Sequence, residues 1–152
     1  MLILMTLLLG GPADAARTEG RACVNNQVTD HYMDGWRLRT ADSFQMVDDD
    51  TRYFLVTLAS TIEYKVLACG DDTSQQIQIV VYNDSGRVLE SSEPDGRQAE
   101  MVFRPPKSSS YFVGVKVIDM DQEPEVDGRK EKRQRKKEGP TTTSVGLALI
   151  YR

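Results

Sequence analysis

Histidine is nearly absent from this 152-residue chain, which has one, and cysteine and tryptophan are scarce at two and one. A single imidazole excludes a His-rich metal centre. Two cysteines with no C-x-x-C spacing cannot form a thiol-redox pair, and without nearby Cys or His they cannot supply the four ligands of a structural zinc. The chain also lacks a G-x-S-x-G elbow, an H-E-x-x-H helix, a Walker loop and a Cys-His couple. A catalytic triad would have to use His31, and an isolated histidine is more often a packing or surface residue. Excess positive charge is missing as well. Nineteen Lys and Arg stand against 23 Asp and Glu for a net charge of −4, which argues against nucleic acid as the main partner. No apolar run reaches the about 20 residues that a membrane helix needs.

What the N-terminus does have is Leu2-Ile3-Leu4-Met5-Thr6-Leu7-Leu8-Leu9, then Gly10-Gly11-Pro12, then Ala13-Asp14-Ala15-Ala16. An apolar core, a breaker and an A-x-A site read as a signal peptide over residues 1–16, although no Lys or Arg precedes the run. No Cys follows it, so a soluble exported product, periplasmic or secreted, is expected rather than a lipid-anchored one. Removing that segment leaves about 136 residues, enough to bury roughly two-thirds of the unfolded surface in one core. Export also favours pairing Cys23 with Cys69, because an even cysteine count in an oxidising compartment points to a disulfide.

Residues 17–43 form an N-terminal segment in which Val24, Val28, Tyr32 and Trp36 recur every four positions, permitting a short helix before Gly35. From Phe44 onward the period is two. Residues 53–58 are apolar on both faces and read as a central strand, while 62–68 pairs one apolar face with a wetter one bearing Glu63 and Lys65. Residues 77–82, the Asn83-Asp84-Ser85-Gly86 turn and 87–90 complete an expected four-strand antiparallel meander. Residues 101–104, 111–117 and 144–151 supply further strands, with Gly114 and Gly146 inside two of them marking bulges or close approaches. Short strands at this spacing define an all-β sandwich or barrel.

Several segments together resemble the bacterial pre-peptidase C-terminal domain: Arg52-Tyr53-Phe54-Leu55-Val56-Thr57-Leu58, Tyr64-Lys65-Val66-Leu67-Ala68-Cys69-Gly70-Asp71-Asp72, Ile77 to Gly86, Phe103-Arg104-Pro105 and Tyr111-Phe112-Val113-Gly114-Val115. The similarity runs from about Phe44 to Tyr151. It implies a jelly-roll-like antiparallel β-sandwich over 44–152, of the kind attached to secreted peptidases and other hydrolases and not itself catalytic. An acidic Asp-Leu-Asp-Leu element of that family, which can contribute to a calcium site, is matched here by Gln76-Ile77-Gln78-Ile79, with amides in place of both carboxylates.

No cofactor is expected. The one cation that the acids could hold is Ca²⁺, with Asp71 and Asp72 as first candidates beside Asp48-Asp49-Asp50, and neither group has the D-x-D-x-D-G spacing of a calcium loop. The most unusual stretch is an insert at 119–140. Asp119, Asp121, Glu123, Glu125 and Asp127 lead into Arg129, Lys130, Lys132, Arg133, Arg135, Lys136 and Lys137, and with Glu131 and Glu138 the segment sums to zero charge. Its acidic arm can fold onto its basic arm, or the seven basic residues can meet an anionic polymer. The sequence therefore points to an exported, non-enzymatic binding or accessory module of the bacterial envelope, monomeric or weakly associating, whose partner is an envelope polymer or an exported protein. A small carboxylate-dependent envelope hydrolase and a Ca²⁺-stabilised structural domain are the alternatives.

Overall fold

Eight strands and one helix make up the computed structural model, which describes residues 12–74, 76–118 and 142–152. Helix α1 spans Pro12–Tyr32, followed by β1 (Arg37–Val47), β2 (Thr51–Leu58), β3 (Tyr64–Gly70), β4 (Gln76–Tyr82), β5 (Val88–Ser91), β6 (Gln98–Phe103), β7 (Ser109–Ile118) and β8 (Thr142–Tyr151). The strands form two antiparallel four-stranded sheets. Sheet A has the order β1-β8-β3-β6 and sheet B the order β2-β7-β4-β5. Nearly every connection crosses from one sheet to the other, the interleaving that defines a jelly roll. The all-β, jelly-roll-like sandwich expected from the sequence is what the chain forms.

The meander is corrected. Only β4 and β5 are sequence neighbours that pair, through the Asn83–Gly86 turn, where Asn83 Oδ1 accepts from Ser85 N and Arg87 N and Gly86 takes φ +77°. Strand β2 is an edge strand of sheet B, not a central one. The sandwich also begins at Arg37, where β1 joins β8, ahead of the Phe44 boundary read from the sequence.

Between the sheets lies one core of inward-facing side chains, among them Val66, Ile79, Tyr111, Val113, Val145 and Leu149. Its two buried phenols keep their hydroxyls satisfied: Tyr111 donates to Lys107 O at 2.6 Å, and Tyr64 accepts from Ala59 N at 3.1 Å. A second, smaller apolar cluster lies outside sheet A, where α1 packs against it.

Candidate functional site

The two outer faces of the sandwich are treated in opposite ways. Sheet A is sealed. Helix α1 starts at Pro12, whose missing N–H costs nothing in the first turn, and closes with Gly35 at φ +87°. Gly35 N donates to Tyr32 O and Trp36 N to His31 O, the paired bonds of a Schellman motif. Val24 and Val28 then lie on Leu67, Ala148 and Ile150. Contact is closest at Gly20 and Gly146: a Cβ on Gly20 would sit 2.8 Å from Gly146 N. The approach at Gly146 is thus by a helix. Cys23 and Cys69 form a disulfide with Cα atoms 5.9 Å apart, tying the helix to the C-terminal end of β3. These partners explain why β3 is buried along its whole length, including Lys65, which the sequence placed on the wetter face.

Trp36 is covered by Lys65 and Arg152, whose cationic ends lie 4.9 and 4.5 Å from its ring. Beside it, Glu100 accepts from Lys65 Nζ at 2.6 Å and pairs with His31 Nε2 at 2.9 Å. Burial pushes the Glu100 carboxyl up, but bonds from Lys65 and His31 outweigh it and hold the group below its ordinary value. A carboxyl with a depressed folded pKa stabilises the fold above its unfolded pKa, 4.5, and loses that contribution as pH falls through the folded value. Glu100→Gln is therefore expected to flatten the acid limb of a melting-temperature profile below pH 4.5; an identical acid limb would disprove the linkage.

Sheet B has no such cover among the described residues. Register aligns Tyr53, Gly114 and Val80 in one row across β2, β7 and β4, and Leu55, Phe112, Tyr82 and Val88 in the next row, which also reaches β5. All point away from the core. Tyr53 is 57% exposed, Leu55 65% and Val88 54%. Gly114 matters here because a Cβ would lie 3.1 Å from the Tyr82 ring and 3.3 Å from the Tyr53 ring; its bareness lets the two phenols meet edge to face, centroids 5.8 Å apart. Burial and the neighbouring Tyr53 push the Tyr82 hydroxyl up, so it stays a neutral donor. A cavity of about 250 Å³ opens between Tyr53, Tyr82, Gly86 and Phe112. Contiguous aromatic and aliphatic surface of this kind makes the face the candidate recognition site.

The sequence reading missed this face. Its signal is in the sequence, as apolar residues on both sides of 53–58, but the same pattern fits a strand buried on both faces. Among the candidates it did name, Cys23 and Cys69 come together. Asp71 is buried in the turn after β3, with Oδ1 accepting from Thr73 N and Thr73 Oγ1 and Oδ2 accepting from Ser144 N; Asp72 beside it is exposed. Both stand at a shallow polar cleft beside α1 with Glu19, Asp30 and Arg97. Among the described residues no cluster of three or more His, Cys, Asp or Glu is placed to hold a metal. Arg104 pairs with Glu63, which also binds Arg152, whereas Arg52 lies over the Phe44 and Phe54 rings. The apolar run at 2–9, expected to be a signal-peptide core, and the basic run Arg129, Lys130, Lys132, Arg133, Arg135, Lys136 and Lys137 lie outside the described residues.

Fold and surface together describe a jelly-roll sandwich with a helix over one face and, among the described residues, an uncovered apolar face opposite. No family model and no curated protein matches the chain. Among solved structures it shares its fold with the pre-peptidase C-terminal domain of a collagenase from Bacillus anthracis, with a TM-score of 0.50 and 14% identity over 74% of this chain and 89% of that one. That is the fold the sequence resemblance implied. A periplasmic inhibitor of g-type lysozyme from Aeromonas hydrophila aligns with a TM-score of 0.44 and 12% identity, over 74% of this chain and 85% of that one.

Proposed function

We propose that this protein is an exported, non-enzymatic binding module of the bacterial envelope that recognises another exported protein through the outer face of sheet B. The observation that carries the reading is the contrast between the faces. The same fold that covers the centre of sheet A with a disulfide-tethered helix leaves Tyr53, Leu55 and Val88 exposed, with Tyr82 and Phe112 half-buried between them and no cover among the described residues. Tyrosine and phenylalanine around an apolar centre suit a protein surface better than an anionic polymer, which calls for cations. The disulfide supports export, since such bridges persist in oxidising compartments. Glu63, Glu100 and Asp71 are each engaged by cationic groups or N–H donors, which favours a structural use of these acids over a hydrolytic one.

A photo-cross-linking residue at position 82, tested in cells producing the full chain, reads the proposal directly. Cross-links to an exported protein are expected at 82 and not at Gln27 on the helix side, and Phe112→Lys should reduce them by about ten-fold or more. Equal yield from positions 82 and 27, or yield undiminished by Phe112→Lys, would reject the face.

A further inference from the structure

Among the described residues, one long side of the sandwich stands open. Strands β1 and β2 are consecutive, and each ends its own sheet. Near their connecting turn Phe44 and Phe54 close the gap, ring centroids 5.0 Å apart, with the Arg52 guanidinium over both. Beyond that pair lies an apolar slot of about 170 Å³, walled by Thr40 and Asp42 from β1 and by Phe54 and Val56 from β2, with Leu147 and Leu149 at its floor. A cavity of about 150 Å³ with apolar walls admits a benzene-sized group, so this one has room for a single aliphatic or aromatic side chain.

The edge beside the slot is unguarded. Sheet edges are normally blunted by bulges, brevity or charge. Strand β1 has a register shift between Leu38 and Thr40 and carries Arg37, Arg39 and Asp42; β5 is four residues long and lies beside another shift; β6 carries Glu100 at its centre. Strand β2 runs eight residues with no proline, glycine or register shift, and its one charged residue, Arg52, is near its start. Among the described residues its pairing partner is β7 alone. An unpaired backbone ladder and an apolar slot thus run side by side. A polypeptide in extended form satisfies both, because its N–H and C=O groups complete the ladder while every second side chain turns inward. A glycan or a lipid offers no such alternation.

Charge refines the choice of occupant. Asp42 stands on the slot wall, accepts a hydrogen bond from Ser43 N at 2.8 Å and has no ion-pair partner among the described residues. A Lys or Arg in the incoming segment would supply one. We infer that the β1/β2 side captures an extended segment of the partner protein as an added strand on β2, with one apolar side chain in the slot and a basic residue at Asp42. The inference rests on the protein-binding reading above and names the form in which the partner is held.

Fluorescence anisotropy with the full chain tests it, using a labelled eight-residue peptide that alternates Thr with Val and Leu and ends in Lys, and a block-sequence peptide of the same composition. Wild type should bind the alternating peptide at least ten-fold more tightly. Val56→Phe fills the slot from its own wall and should remove that preference without lowering the melting temperature. Asp42→Lys, on the exposed edge, should shift the preference toward a peptide ending in Glu and keeps the test decisive if Val56→Phe folds poorly. Equal binding of the alternating and block peptides overturns the inference, as does binding unchanged by either substitution. So does a homodimer that Val56→Phe dissolves, since a second copy would then be the occupant. Phe112→Lys lies off this edge and should leave peptide binding intact. Loss of the peptide effect with persistent cross-linking at 82 would reject this inference alone, and the reverse pattern would reject the face alone.

Discussion

Cys69→Ser is expected to lower stability by about 4 kcal/mol, the loop-closure entropy of a bridge spanning some 46 residues. For a domain of this size that is a melting-temperature loss of roughly 15 °C. The magnitude follows from what the bridge holds. Helix α1 is largely polar, and in isolation a 21-residue helix of this composition is marginal. Its docking rests on Val24, Val28 and the close approach at Gly20 and Gly146, and the disulfide fixes it over Leu67, Ala148 and Ile150. Cutting the bridge should therefore loosen the helix before the sandwich, seen as faster hydrogen exchange in 20–32 than in β3 or β8. Cys23→Ser separates the cross-link from any cost of a serine hydroxyl at the buried Cys69 position, and equal losses in the two variants assign the effect to the bridge. A melting temperature indifferent to reductant would refute the argument.

Strand positions were legible because alternation reports which residues share a face, and Ile77, Ile79 and Val81 face the core as their pattern implies. What alternation does not report is the cover on each face. Lys65 reads as a wet position and is buried beside Trp36 and Glu100, since the residues that cover it come from α1 and the segment just after it. Tyr53 and Leu55 read as buried and stand in solvent. Sheet membership was equally hidden: the three residues between β1 and β2 cross the sandwich, while the five between β4 and β5 close a hairpin. Loop length does not distinguish the two, and only the asparagine-anchored turn at 83–86 declared itself. Strand β1 was illegible for another reason. Arg37 to Asp42 are exposed, so no buried face imposes a pattern, and they are ordered by pairing with β8 and by Arg37 and Arg39 lying over the Tyr32 and Tyr64 rings.

Asp71 was singled out as a cation ligand, and its geometry leads to a different expectation. The residue is 5% exposed. Its backbone N–H donates to Ser144 O at 2.9 Å, its Oδ2 accepts from Ser144 N at 2.6 Å, and its Oδ1 takes both donors of Thr73, at 3.0 and 2.5 Å. The side chain thus clasps the turn after β3 to the start of β8. Asp71→Ala would strand the buried Ser144 N–H and turn two donors of the exposed Thr73 over to solvent, and is expected to cost about 2–3 kcal/mol. Asp71→Asn keeps the shape and one acceptor, so its cost should be smaller, about 1–2 kcal/mol, because an amide NH₂ facing Ser144 N or Thr73 cannot accept. Calcium would have to displace these bonds to bind. Melting curves of the three proteins in calcium and in chelator decide the matter. The clasp predicts wild type above Asp71→Asn above Asp71→Ala in both buffers; a calcium-dependent rise in wild type that both variants lose would instead make Asp71 a ligand. The ordering also tests the fold, since the clasp joins β3 to β8 at the end of the ladder that continues from Gly70↔Val145 to Tyr64↔Tyr151. Releasing it should fray that end first, so amide exchange at 143–145 should rise in Asp71→Ala before exchange at 148–150 does.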